Sequence, residues 1–299
     1  MLTCIAAMAQ TPVKVAAQWA KGDYAIYDNT NETTVASPMG GAPTKIVKTS
    51  EVKYTVTDAR ADGYTIEVTP LSKSGNGSEE SGAASQLMAK WSEKLVGKTM
   101  VMETDKDGKI LKVSNLEALK AEMTKAFDEL TATLSTEEDK MQESVLRITF
   151  NSMMAEEHII PLMAEGNFFD FYGKTFSTGM MEDDEVEGVK VKNTYVVMAP
   201  KNSDTFTIKS SMAVNMQKED IKEMFVKQLK ESMPDQIDAV MPQLDQMIES
   251  GMLKIEGTGS STHVFKKNGW PQSVESSTTI GMMGTNTVTM FKSTLKESK

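Results

Sequence analysis

Alternation of apolar and polar residues recurs along most of this chain, and it limits the possible folds more than any other feature. Val52, Tyr54 and Val56 share one side while Lys53, Thr55 and Thr57 share the other, and Tyr64, Ile66 and Val68 alternate with Thr65, Glu67 and Thr69. Val189, Val191, Tyr195 and Val197 repeat the pattern, as do Phe206, Ile208, Met212 and Val214. Period two marks a strand with one buried and one wet face. Wet faces argue for an antiparallel sheet rather than a parallel one sandwiched between helices. Asp62-Gly63, Asp107-Gly108 and Asn268-Gly269 tolerate positive φ and supply hairpin turns. The expected fold is α+β: a large curved antiparallel β-sheet of about ten or more strands with helices packed on one face.

Three stretches switch to a helical period. Ser114 and Glu117 form a capping-box pattern ahead of an apolar stripe of Leu116, Leu119, Met123, Phe127, Leu130 and Leu134. Ser135 and Glu138 repeat the box ahead of Met141, Val145 and Ile148. A third helical region spans about Lys218 to Ser250, interrupted by Pro234 and Pro242. The stretch Ser72 to Ser85, rich in Gly and Ser, reads as a flexible loop. Tyr54-Thr55-Val56 and Tyr64 to Glu67 are echoed by Tyr195-Val196-Val197 and Phe206 to Lys209, and Lys106-Asp107-Gly108 by Lys267-Asn268-Gly269. One β-rich domain over 10–299 is expected. Its pseudo-repeat halves would be 10–160 and 161–299; the alternative is that two amphipathic hairpins simply look alike.

Lys+Arg 32 against Asp+Glu 42 leaves a net charge of -10 with no basic run, which argues against a nucleic-acid partner. The one cysteine, Cys4, permits neither an internal disulfide nor a CxxC site. Leu2 to Ala9 is apolar and ends Ala7-Met8-Ala9, a signal-peptidase pattern that makes residues 1–9 a signal peptide, incomplete at its charged end, and Gln10 the mature start. Met1-Leu2-Thr3 before Cys4 is a poor lipobox. An exported protein, periplasmic or associated with the outer membrane, follows from that reading. No apolar run reaches the roughly 18 residues of a transmembrane segment.

Candidate chemistry is thin. Glu103, Asp105, Asp107 and Gly108 follow an EF-hand loop until Ser114 stands where the bidentate Glu belongs, so a hairpin turn is expected instead. Glu182 to Glu185 reads as a solvated acidic loop, and Glu156-Glu157-His158 as a helix end. Ser50-x-x-Lys53 and Ser293-x-x-Lys296 have the spacing of a Ser-Lys nucleophile without its companion motifs. With no nucleophile elbow, phosphate loop or zinc motif either, the reading is not an enzyme, with no cofactor and no metal.

Methionine is abundant, 24 of 299 residues, in a chain only 6% aromatic. Much of it falls at periodic core positions, but Met also lines deformable apolar grooves. Phe168 to Lys174, the Asp-Gly turns leading into Ser114 to Leu134, and the closing Asn268-Gly269-Trp270-Pro271 hairpin together resemble an uncharacterised family of exported Gram-negative bacterial proteins. More distantly, the plan resembles the lipoprotein-carrier and lipoprotein-localisation superfamily. That resemblance implies a curved sheet folded around helices with acyl chains held between them; it carries over no functional residue. The leading expectation is a non-catalytic exported protein binding a lipid, an acylated molecule or another hydrophobic small molecule. Its groove between sheet and helices would be lined by Met123, Phe127, Leu130, Met141, Val145 and Ile148. The alternative is a structural or protein-interaction module of the cell envelope with a filled core.

Overall fold

A computed structural model describes residues 11–299 except 37–41, 77–82, 133–146, 148–149, 152, 155, 166, 187–188, 215, 233–236, 251–252 and 283–284. In chain order the first elements are β1 (Val13–Lys14), β2 (Tyr24–Ala36), β3 (Thr44–Arg60), β4 (Gly63–Asn76), α1 (Ala83–Glu93), β5 (Met100–Asp105), β6 (Ile110–Val113) and α2 (Leu116–Thr131). Next come α3 (Glu156–Ala164), a 3₁₀ turn (Asn167–Phe171), β7 (Thr175–Phe176), β8 (Met181–Val186), β9 (Val189–Met198) and β10 (Thr205–Val214). The chain then adds α4 (Lys218–Ser232), α5 (Ile237–Glu249), β11 (Ile255–Lys266), β12 (Pro271–Met282) and β13 (Thr285–Ser298).

Eleven strands form one curved antiparallel sheet in the order β6-β5-β4-β3-β2-β13-β12-β11-β10-β9-β8, as the alternating pattern requires. Tyr27, Val52, Tyr54, Val56, Ile66, Val68, Met100 and Met102 are buried on its inner face with Val197, Ile208, Phe265 and Val274. Leu87 and Trp91 of α1, Leu119, Met123 and Phe127 of α2, and Ile159 and Met163 of α3 complete this main core. A smaller cluster sits toward the opposite ends of the strands, where Ile221, Leu244 and Ile248 of α4 and α5 pack near Ile255, Val189 and Val214.

Three local features depart from expectation. Strand β4 continues through Ser72 to Asn76, and α1 begins at Ala83, before the stretch read as loop ends at Ser85; polar strand residues carry no apolar alternation by which to detect them. No capping box forms at α2: Asn115 stands at the cap without a side-chain cap bond. Its side chain instead accepts from Val101 N at 2.8 Å and donates to Thr99 O at 2.8 Å, while Ser114 Oγ donates to Glu103 and Val101. Bonds to β5 have displaced the local cap. Glu182 to Glu185 form the edge strand β8, where acidic side chains discourage pairing with another sheet.

The segment from Val13 to Trp19 ties the turn ends together. Val15 N donates to Lys174 O, Ala17 N to Asp107 O at 2.8 Å, and Gln18 N to Asn268 O at 3.1 Å. Trp19 stacks on Trp270 at 4.4 Å and meets Tyr64 and Tyr172 edge-on. The two echoed turns, Gly108 and Gly269, therefore lie against the same Ala16-Ala17 step. Helical segments interrupt the strands at two places: α1 stands between β3-β4 and β5-β6, and α4 and α5 stand between β9-β10 and β11-β12.

Gly269 has φ +95, and a Cβ there would stand 2.7 Å from Ala16 O and 3.0 Å from Ala17 Cα. Gly269→Ala should therefore cost about 2 kcal/mol by urea unfolding, combining backbone strain with displacement of the segment. Gly22→Ala, at φ +89 with nothing within 4 Å, carries strain alone and should cost about half as much. Equal losses would mean that the close approach to Ala16 is not what matters.

Candidate functional site

Paired residues in an antiparallel ladder share a face, so the register reads out the inner surface row by row. One row runs Ile208, His263, Val274, Ser293, Asn29, Ser50 and Lys73 across β10-β11-β12-β13-β2-β3-β4. Below it lies the aromatic core. Within this row, buried against that core, are His263 at 4% exposure, Ser293 at 1% and Asn29 at 3%.

Lys73 reaches this row because of an irregularity. The register slips between Glu51 and Val52, so Val52 faces Pro70 and Ser50 faces Lys73, leaving Leu71 as an extra residue. Simple alternation from Val68 and Pro70 would have turned Ser72 inward and Lys73 to solvent. A bulge that adds one residue reverses the phase and re-aims the side chain. The Lys73 side chain is 8% exposed; its ammonium lies 2.6 Å from Glu165 Oε1 and donates to Leu162 O at 2.8 Å. Glu165 follows α3 with φ 41, a left-handed conformation rare for a residue with a side chain. The Ser50 hydroxyl donates to the same carboxylate, and Tyr54 OH donates to Ala164 O beside it. Burial pushes the Tyr54 hydroxyl well up, so it remains a neutral donor.

Asn29 Nδ2 donates to Ser50 Oγ at 3.3 Å. Asn29 Oδ1, Ser293 Oγ and His263 Nδ1 are buried and lack a hydrogen-bond partner among the described residues. An unmatched buried polar atom costs roughly 1–3 kcal/mol, so three such atoms in one row stand out. Desolvation also pushes His263 down to about 4, keeping the imidazole neutral between Phe171 at 4.1 Å and Phe265 at 6.1 Å.

Above this row the inner face changes character. The next row reads Ser210, Ser261, Ser276, Phe291, Asn31 and Lys48, and the one beyond it Met212, Gly259, Thr278, Thr289, Thr33 and Ile46. Ser276, Thr278, Thr289, Phe291, Asn31 and Thr33 are half-buried. Farther up, Ile280 is 37% exposed, and Val214 and Ile280 close over Gly257, where a Cβ would meet Val214 Cγ2 at 2.9 Å. With Phe291 packed against the main core among them, small residues thus occupy a stretch of the inner face between the two apolar clusters. Its lower border is polar, and its upper end approaches half-buried Met216, Met224 and Phe225 around α4.

The residues expected to line a groove divide as follows. Met123 and Phe127 are inside the main core, with Phe127 stacked on Phe150 at 4.3 Å, and Leu130 is half-buried against it. Met141, Val145 and Ile148 lie outside the described residues. The Asp107-Gly108 segment is a hairpin turn in which Asp105 Oδ1 accepts from Asp107 N and Lys109 N, both at 2.9 Å. Ser50 and Ser293, picked out by their Ser-x-x-Lys spacing, do share one buried row, but the lysine that joins them is Lys73. Only the paired register reveals that juxtaposition. Among the described residues, no three His, Cys, Asp or Glu side chains gather as metal ligands would, and no helix is long and apolar enough to cross a membrane. An open hollow at the turn end is lined by Asp204, Lys266, Lys267 and Lys296. There Lys267 pairs with Asp204 and Lys296 with Glu51, so no concentrated positive charge remains.

No family profile matches the chain, and no curated protein matches it. Among solved structures, a lipovitellin structure concerned with lipid–protein interactions aligns with 94% of this chain at 8% identity and a TM-score of 0.45. This chain spans 26% of that one. A protein classed as a lipoprotein from Parabacteroides distasonis aligns over 97% of this chain and 100% of its own, at 10% identity and a TM-score of 0.27. A protein classed as exported, with a YmcC-like fold, from Bacteroides fragilis aligns over 96% of this chain and 100% of its own, at 9% identity and a TM-score of 0.23. These are distant likenesses.

Proposed function

We propose that this protein is a non-catalytic, exported binder of an amphipathic ligand bearing an acyl chain, held in a trough that this stretch of the inner face forms between the two helical groups. The observation that carries this reading is the gradient along the trough. Its border holds buried hydrogen-bonding groups, its floor is mostly Ser, Thr and Gly with Phe291 and Asn31 among them, and Met212, Val214 and Ile280 stand on the β10 and β12 side toward its far end. A concave sheet surface destined only for a packed core would carry bulky apolar side chains on those rows. Here, Phe291 apart, bulky apolar side chains are missing from the central strands of those rows, and flexible Met212 stands toward the apolar end, able to adapt to a chain.

A pyrene-labelled long-chain alcohol and the matching acid, titrated into delipidated protein, test the reading. Saturable micromolar binding of at least one is expected. Ser276→Trp fills the floor and should weaken binding at least tenfold, about 1.4 kcal/mol, while far-UV circular dichroism stays unchanged. The absence of saturable binding by the folded protein would favour the second reading, an envelope interaction module with a filled core. The packing of Phe150 against both Phe127 and Trp91 is the observation on that side.

A further inference from the structure

Resting on that reading, we infer that the polar head of the ligand is uncharged and donates a hydrogen bond, an alcohol or amide rather than a carboxylate or phosphate, and that Asn29 and Ser293 receive it. The direction of the buried network selects this chemistry. Asn29 Nδ2 donates to Ser50, and Ser50 donates to the Glu165 carboxylate, which is paired with Lys73. With the amide nitrogen committed in this way, the atom left over on Asn29 is the acceptor Oδ1. It requires a donor.

Ser293, the direct cross-strand neighbour of Asn29, carries the second unmatched atom, a hydroxyl that can either accept or donate. A hydroxyl or amide head can donate to Oδ1 while exchanging its other bond with Ser293. A carboxylate has no donor and would bring negative charge toward a carbonyl oxygen and the neighbouring Glu165. Within the buried row itself the groups that could welcome an anion are committed or neutral, and Lys48, beside Asn31 one row above, is exposed. Lys73 is held by Glu165 and Leu162 O, and His263 is neutral at physiological pH.

Reach is short. Asn31 and Phe291 are the next same-face residues on β2 and β13, roughly 7 Å along the strands from Asn29 and Ser293. Both are half-buried. A head entering from the trough therefore passes one side-chain row, that of the Phe291 ring, to reach the unmatched atoms.

The test is displacement of the pyrene-labelled alcohol from delipidated full-length protein by dodecan-1-ol and by dodecanoate at pH 8. The alcohol should displace at a concentration at least about tenfold lower, after correction for the acid's own self-association, since one good hydrogen bond gained and one repulsion avoided exceed a factor of ten. Asn29→Leu removes the acceptor, relieves an unmatched buried atom and so should fold; the preference should fall below about threefold while the alcohol still binds. Equal or stronger displacement by dodecanoate would overturn the assignment of the head and leave acyl-chain binding standing. An Asn29→Leu variant that kept the full preference would overturn the placement at Asn29. Failure of the labelled probe itself to bind would overturn the function proposed above.

Discussion

Glu165→Ala should destabilise the protein by about 3–5 kcal/mol, because it leaves the Lys73 ammonium nearly buried without its counter-charge. Lys73 is 8% exposed and Glu165 24%, so the two halves of the pair are not equivalent. Lys73→Met, which strands the more accessible carboxylate, should fall at or below the lower end of that range, because Glu165 can turn toward water. Replacing both, as Lys73→Met with Glu165→Leu, should recover most of the loss, since a buried pair often contributes little beyond what matched apolar groups would. Guanidinium unfolding of the three variants decides the matter. If both single variants lay within 1 kcal/mol of the parent, the pair would be solvated and the order of the inner row would not depend on it.

Stability should also fall between pH 6.5 and about 4, by roughly 3 kcal/mol from one side chain. Burial holds folded His263 at about 4 against an ordinary 6.5. Below 6.5 the unfolded chain takes up a proton that the folded chain refuses, so protonation favours unfolding until the folded value is reached. The contribution is complete above 6.5 and lost as pH falls toward 4. Asp58, Asp107 and Asp220 are lowered below 3.8, chiefly by their bonds to Arg60, Lys14 and Lys190, so their losses come at lower pH. Asp170 is raised by burial and opposes the trend near the acid end of the window. His263→Phe keeps an aromatic ring between Phe171 and Phe265 and isolates the effect. Urea midpoints measured from pH 8 to 4.5 should show a much shallower decline in the variant; parallel curves would exclude His263 as the cause.

Much of the sheet is legible in the sequence because its lower half buries Val, Ile and Tyr against polar neighbours, as in Val52-Lys53-Tyr54-Thr55-Val56. The upper half is not, for a physical reason. Gly257 to Thr262 and Ser276 to Thr279 place hydroxyls and glycines on both faces, so period two persists in the backbone while vanishing from the hydropathy. The turn glycines are readable, and the apolar stripe of α2 marks Leu119, Met123 and Phe127, all buried in the main core. The inner polar row could not be read. It depends on cross-strand register between residues as distant as Asn29 and Ser293, and on the extra residue Leu71 that turns Lys73 inward. Neither has a local signature.

The strand order bears on when the molecule can become itself. Strand β13 lies in the middle of the sheet, hydrogen-bonded to β2 from Asn286 opposite Ala36 to Ser298 opposite Ala25. Without it, the described strands fall into two five-membered pieces, β6 to β2 and β12 to β8. Each could pair internally while the chain is being made, but the polar row through Ser293 and the rows through Phe291 and Thr289 all cross the missing strand. Joining ends so remote closes a very long loop, a step typical of slow β-rich folding. The inner polar row therefore assembles only once β13 has paired with both β12 and β2, and until then its halves lie on separate pieces of sheet.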